Sequence, residues 1–250
     1  MAILKFIYFE ILYRPLLNAL VFLAALMPGN DIGFSIIILT LIVRAILFPF
    51  SHRSLLTQIK LKDIEPEIKK IKDETKNKAE EQGKKIMELY KRHGVSPFSG
   101  CLMLLIQLPI LIALFHVFQS NLLSEGGKLY SFINMPSGIN VKFLNLFDLS
   151  KSNWILALTA GVSQYFQMRL AMPVLPKGGE TMREEFSRAM AIQSLYIFPI
   201  LIFYISFRFP AALALYWTVT NLFATVHESV VRSRAKKEYG GESGEDKKNN

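Results

Sequence analysis

The feature that most constrains this chain is the grouping of its apolar residues into blocks of about 20, the length that carries a helix across a hydrocarbon core at ~1.5 Å per residue. Five such stretches run over Ile32–Phe50, Phe98–Gln119, Ser152–Ala171, Ala189–Phe207 and Pro210–Val231. Short segments between them hold most of the charge. A soluble domain of 250 residues would instead alternate apolar and polar positions along each element. The fold class expected is therefore an all-α polytopic membrane protein, with a five-helix core over residues 31–231. The single cysteine, Cys101, excludes an intramolecular disulfide framework and a multi-cysteine zinc site.

Loop charges orient the spans. Twelve Lys/Arg lie in Ser51–Pro97, four in Arg169–Arg188 and six after Val231, 22 of the 29 in the chain. The opposite side holds Lys128, Lys142, Lys151 and Arg208, with Lys5 and Arg14 if the N-terminus lies there. The positive-inside rule then puts segments 51–97 and 172–188 and the mixed-charge tail 232–250 in the cytoplasm, and the 120–151 loop outside. Residues 1–30 admit three readings: a secretory signal, a sixth span, or a helix lying in the interface. Lys5, Glu10 and Arg14 interrupt the apolar run and leave only Pro15–Met27 uncharged. Five spans with an internal C-terminus require an external N-terminus, which favours the interfacial helix.

Segment Ser54–Arg92 is too polar for lipid but is patterned. Leu61, Ile64, Ile68 and Ile71 fall on one helical stripe, and Ile86, Leu89 and Tyr90 on a shorter one, with a polar turn expected over Thr75–Gly83. Two amphipathic helices folded back on each other would hide both stripes, with a kink or helix start at Pro66. Its bases face anionic headgroups or dock a ribosome-associated partner. Eight acids among the twelve bases argue against a specific nucleic-acid site.

Arg44 is the one formal charge inside Ile36–Phe50. Such an arginine costs from ~3 kcal/mol on insertion scales to more than ~10 kcal/mol in an isolated helix, unless it meets water, a counter-charge or polar protein. Snorkelling toward the nearer headgroups is the plain structural explanation. Against it, Thr40 lies one turn away on the same face. Uncharged polar residues also recur at similar depth in the other spans: Gln107, Ser163, Gln164, Gln193, Ser194, Thr218, Thr220 and Asn221. No acid lies at that depth, so the arrangement suggests a hydrated cavity open to the cytoplasm, attractive to acidic peptide segments. Each amide or hydroxyl taken singly reads equally well as interhelical glue. Catalytic patterns are absent: the four histidines make no metal motif, and no nucleophile elbow, P-loop or dinucleotide fingerprint occurs. No catalytic residue, metal or cofactor is expected.

Several short runs, in order and at matching separations, are similar to the YidC family of membrane-protein insertases. They are Gly33-Phe34-Ser35-Ile36-Ile37-Ile38 leading to Thr40, Val43-Arg44 and Phe48-Pro49; Leu89-Tyr90-Lys91; Pro97 through Gly100-Cys101 into Leu105-Ile106-Gln107-Leu108-Pro109-Ile110; and Phe209-Pro210-Ala211, Leu215-Tyr216-Trp217 and Asn221-Leu222. The resemblance implies a five-span core with a cytoplasmic hairpin, and a hydrophilic groove open to cytoplasm and lipid but closed outside. Arg44 falls on the family's groove arginine, Thr40 and Trp217 on groove-lining positions, and Gln164 where relatives place a polar residue; Gln107 and Asn221 complete the expected client-binding set. Ile64, Ile68, Lys69, Lys70 and Arg92 mark the hairpin expected to recruit clients. The implied partners are nascent, acidic-tailed membrane proteins and lipids, with the Sec translocon and ribosome as further candidates. The chain reads as a bacterial short form that starts almost at the interfacial helix. Its diluted tail argues against ribosome contact through a long basic extension. A small anion transporter using Arg44 is the competing function, although no inverted repeat is evident.

Overall fold

The computed structural model describes residues 6–75, 78–96, 99–119, 127–136, 138–171 and 188–239. Residues 172–187 of the expected internal loop and 240–250 of the tail lie outside that set, as do 120–126 of the external loop. The helices are α1 (Tyr8–Leu26), α2 (Ile32–Asp63), α3 (Glu65–Glu74), α4 (Ala79–Arg92), α5 (Ser99–Gln119), α6 (Trp154–Ala171), α7 (Arg188–Arg208) and α8 (Ala211–Tyr239). A small antiparallel ribbon pairs β1 (Lys142–Phe143) with β2 (Phe147–Asp148). Among the described residues, α1, α2 and α7 are long and apolar enough to cross a membrane. Mean hydropathy is lower in α6, where Gln164, Gln167 and Arg169 interrupt the apolar run, and in α8, where Thr218, Thr220, Asn221 and Glu228 do so.

The chain forms two compact units, Met1–Ile46 with Pro109–Ser229 and Leu47–Leu108 with Val230–Asn250. In the first, the core gathers where α2, α6 and α8 begin and α5 ends. Ile32, Ile36, Leu114, Val117, Leu156, Ala160 and Ala211 through Tyr216 are buried there, packed with Leu17, Leu20, Val21 and Ala24 of α1. Farther along the same helices the outer faces carry exposed apolar residues, Ile46 at 66%, Phe166 at 60% and Val226 at 65%, while the buried positions turn polar, with Ser163, Gln164, Asn221 and Glu228.

The closed end is tied by hydrogen bonds as well as by apolar packing. Buried Asp31 caps α2, one carboxylate oxygen accepting the Gly33 N–H at 2.7 Å and the other the Leu144 N–H at 3.2 Å. The Phe143 ring lies against Gly33 so closely that a Cβ there would overlap it. The Ala211 N–H donates to the Lys151 carbonyl at 2.8 Å and the Ala212 N–H to that of Leu149 at 3.1 Å, so the start of α8 joins the same network. On α1, buried Asn18 donates to the Lys128 carbonyl at 3.3 Å and accepts the Tyr130 N–H at 2.7 Å. Arg14 pairs with Glu10 at 3.1 Å, donates to the Lys128 carbonyl and lies 4.9 Å from the centre of the Tyr130 ring. Two of the charges that interrupt this apolar run, Glu10 and Arg14, are thus answered within the protein, while Lys5 lies outside the described residues.

Two turns of π-helix occur, Tyr8–Tyr13 in α1 and Gln193–Ile197 in α7, each just ahead of a proline, Pro15 and Pro199. Proline lacks the N–H and crowds the carbonyl four residues back, and a widened turn relieves both. Gly161 lets α6 approach α7 closely: a Cβ there would stand 3.0 Å from Phe203 Cβ and 3.1 Å from the Pro199 carbonyl oxygen. Also on α7, the Ser206 hydroxyl is buried and has no hydrogen-bond partner among the described residues. A buried polar group left unpaired costs about 1–3 kcal/mol. Ser206→Ala is therefore expected to leave thermal unfolding in detergent unchanged or to raise its midpoint; a lowered midpoint would reveal a bond that the hydroxyl makes.

In the second unit, α3 and α4 pack through buried Ile64, Leu89 and Val95, flanked by Leu61, Ile68, Ile71 and Tyr90. Helix α2 runs on past Phe50 to Asp63, and Pro66 sits in the first turn of α3, where its missing N–H costs nothing. The polar turn is shorter than the expected Thr75–Gly83, because helix resumes at Ala79 and includes Gly83. Glu80 and Glu81 favour a helix start there, and each pairs with the lysine four residues on, Lys84 at 2.8 Å and Lys85 at 3.1 Å. The Gln82 amide closes the turn by donating to the Thr75 hydroxyl at 3.3 Å.

Candidate functional site

The residues at issue lie on three helices of the first unit. On α2 the protein-facing stripe runs Ile32, Ser35, Ile36, Leu39 and Thr40, all buried, and reaches Arg44, which is half-buried. The exposed stripe of the same helix carries Leu41, Ile42 and Ile46. Arg44 therefore shares the stripe of the polar and core positions. It forms no hydrogen bond or ion pair with any described residue, and the buried Tyr216 phenol of α8 lies in its neighbourhood. Thr40 is only 2% exposed and returns its hydroxyl to the Ile36 carbonyl at 2.6 Å.

Helices α6 and α8 meet along a polar seam. The Asn221 amide, buried, donates to the Ser163 hydroxyl at 3.1 Å, and that hydroxyl donates to the Ala160 carbonyl at 3.0 Å. One turn nearer the closed end, the Thr159 and Thr218 hydroxyls stand 3.2 Å apart. On α8 the Thr220 hydroxyl is buried without a partner among the described residues. Gln164 is buried beside this seam and its amide donates to Gln167 at 3.4 Å. Trp217 is half-buried against the core.

Of the expected client-binding residues, the structure joins Asn221 to the seam and sets Gln164 next to it. No hydrogen bond links Arg44, Thr40, Gln164, Trp217 and Asn221 to one another. Gln107, half-buried on α5, belongs to the second unit. So do Ile64, which is buried, Ile68, which flanks it, and the exposed Lys69, Lys70 and Arg92. Beside them α3 and α4 form a shallow cleft whose rim alternates in charge, with Glu67, Lys70, Glu74, Lys85, Glu88 and Arg92. Sequence reasoning overlooked Asp31 and Tyr216. Asp31-Ile32-Gly33 at a helix start is a capping signal, whereas nothing in the sequence placed Tyr216 beside Arg44.

A family model described as the 60Kd inner membrane protein matches residues 22–238. The chain belongs to the YidC family. The YidC insertase of Clostridium tetani is 35% identical over 195 residues, covering 78% of this chain and 79% of that protein. MisCA of Bacillus subtilis, another membrane protein insertase by name, is 30% identical over 223 residues, or 86% of this chain and 76% of its own length. The Campylobacter jejuni YidC matches 95% of this chain at 30% identity, which amounts to 40% of that longer protein. With this membership and its apolar helices, the chain is a multi-pass protein of the bacterial inner membrane.

Proposed function

We propose that this YidC-family chain is a membrane-protein insertase working on small clients with short, acidic hydrophilic tails. Family membership supports the insertase role. The observation that carries the mechanism is Arg44: a half-buried cation on the protein-facing stripe of α2, without an ion pair among the described residues. In this reading the closed end faces outside and the opposite end faces the cytoplasm, as the loop charges require. A client carboxylate entering from the cytoplasm exchanges part of its hydration for the Arg44 guanidinium. Hydroxyls and amides at the α6–α8 seam, Asn221 and Gln164 among them, serve the client's peptide groups, with Thr40 and Trp217 shaping the wall. Polar residues then cross only the remaining part of the bilayer. Burial of ~20 apolar client residues in lipid, at about 25 cal/mol per Å2, draws the client helix out sideways without ATP. The membrane potential adds ~2.3 kcal/mol per charge per 100 mV in favour of exporting acidic tails.

The five-span core, the cytoplasmic disposition of α3 and α4, and an interfacial or spanning α1 are parts of the same proposal. The mixed-charge cleft between α3 and α4, with Lys69, Lys70 and Arg92 exposed, is suited to receive a client or a Sec- or ribosome-associated partner. The test is reconstitution of the chain alone into lipid vesicles, followed by protease protection of a single-span client with an acidic N-terminal tail. Protection above that of empty vesicles is expected. Protection no greater than in empty vesicles, with folded protein present, would sink autonomous insertion.

A further inference from the structure

The ribbon at the closed end exposes apolar side chains that the protein leaves uncovered. Leu146 is 75% exposed and Leu144 51%. Leu144 and Asn145 take up left-handed backbone, φ 54° and 59°, in the three-residue connection between the paired Phe143 and Phe147, at the centre of a turn that the Leu146 N–H closes by donating to the Phe143 carbonyl at 3.0 Å. Such turns ordinarily take Asn-Gly or Asp-Gly, because a branched aliphatic residue is strained there. The strained conformer is held from below: the buried Asp31 carboxylate accepts the Leu144 N–H, while the Phe143 ring is seated on Gly33. The fold thus fixes a leucine-bearing tip outward, at a cost in backbone strain and in exposed apolar surface.

Six residues beyond the ribbon, α6 starts at Trp154, which is 60% exposed. Trp154, Leu158, Val162 and Phe166 recur every four residues and are all exposed, making a lipid-facing stripe with an indole at its end. Lys142 precedes the tip, and Lys151 lies between tip and indole, 3.5 Å from Asp148. Aliphatic tip, indole and lysines at the end of a lipid-facing stripe match the ordering of an acyl boundary, an interface and a headgroup layer.

We infer that the 142–147 ribbon is a membrane-insertion element, with Leu144 and Leu146 dipping into the acyl boundary of the leaflet at the closed end and Lys142 at its anionic headgroups. The occupant of this surface is lipid, since the exposed apolar stripe of α6 starts at Trp154, six residues after the ribbon ends at Asp148. The inference needs the chain to cross a bilayer but is independent of what Arg44 does.

Two depth measurements test it. In the first, Trp154 and Trp217 are replaced by Phe, and a single tryptophan is placed at Leu146 or, as a control within the span, at Phe166. The protein is reconstituted into vesicles of phosphatidylcholine and phosphatidylglycerol carrying bromine near the carbonyl end of the acyl chains or deep within them. The Leu146→Trp reporter is expected to show blue-shifted emission, loss of most of its intensity to the shallow bromines, and protection from aqueous iodide. The Phe166→Trp reporter should respond to the deep bromines. In the second, the native tryptophans are kept, and Leu146→Cys in a Cys101→Ala background carries a nitroxide. Its relaxation should respond to dissolved oxygen more than to a water-soluble nickel complex. Iodide-accessible, unquenched emission and a nickel-accessible nitroxide at 146 would overturn the inference, as would shielding from every quencher, the signature of a protein partner. Failure of the Phe166 control would instead remove the spanning arrangement itself.

Discussion

Arg44→Ala is expected to lower the initial rate of insertion of an acidic-tailed client by about ten- to a hundredfold, the loss of one charge-assisted hydrogen bond worth about 1.5–3 kcal/mol at ~1.4 kcal/mol per decade. The same substitution should leave the fold intact. Arg44 makes no hydrogen bond or ion pair to a described residue, so truncation orphans no acceptor among them and relieves a partly buried cation of its desolvation. Thermal unfolding in detergent should therefore stay at the wild-type midpoint or rise. Arg44→Lys, which keeps the charge but not the planar fork, should fall between the two. A client whose tail acids are changed to amides should lose most of its sensitivity to the substitution. Full insertion by Arg44→Ala, or a loss that tracks unfolding, would remove the charge from the proposed mechanism.

Gly33→Ala is expected to destabilise the first unit by about 2 kcal/mol, the middle of the range for overpacking a dense site. The added Cβ would overlap the Phe143 ring, so ribbon and α2 would have to separate. Separation would also stretch the Leu144 N–H from Asp31. Asp31→Ala removes that bond and the helix cap together, and should cost about as much. The diagnostic is rescue. Gly33→Ala combined with Phe143→Ala should recover much of the loss, since the two substitutions share one contact and their effects are not additive. A double variant as damaged as the sum of its parts would show that Gly33 matters for some other reason.

The helical membrane class was legible because it rests on composition, which lipid enforces over whole segments. The α3–α4 contact was legible because Leu61, Ile64, Ile68 and Ile71 recur at helical spacing, even though a break at Ile64 falls inside the stripe. What the sequence concealed depends on distant partners or on backbone hydrogen bonding. Helix α2 continues thirteen residues past Phe50 because its hydrogen bonds do not stop where apolar composition does. The π turns follow from proline geometry that no hydropathy scale registers. The Leu144-Asn145 turn carries no glycine, so the ribbon gave no hairpin signal. At the candidate site, Arg44 stood out because a lone charge is conspicuous in an apolar run. The bond from Asn221 to Ser163 joins helices 58 positions apart and needs the tertiary structure. Thr40 reads as an available hydroxyl in the sequence, yet its own helix already uses it.

The uneven distribution of packing in the first unit has a mechanical consequence. Rods clamped at one end behave as cantilevers: stiff near the clamp, with compliance growing steeply toward the free end. Asp31 and Ile32 on α2 and Ala211 and Ala212 on α8 are anchored at the clamped end by hydrogen bonds to the 140–151 segment. Sideways loads applied near Ile46, Phe166 or Val226 would bend the helices about that end and leave the ring of contacts around Leu149 and Tyr216 undisturbed.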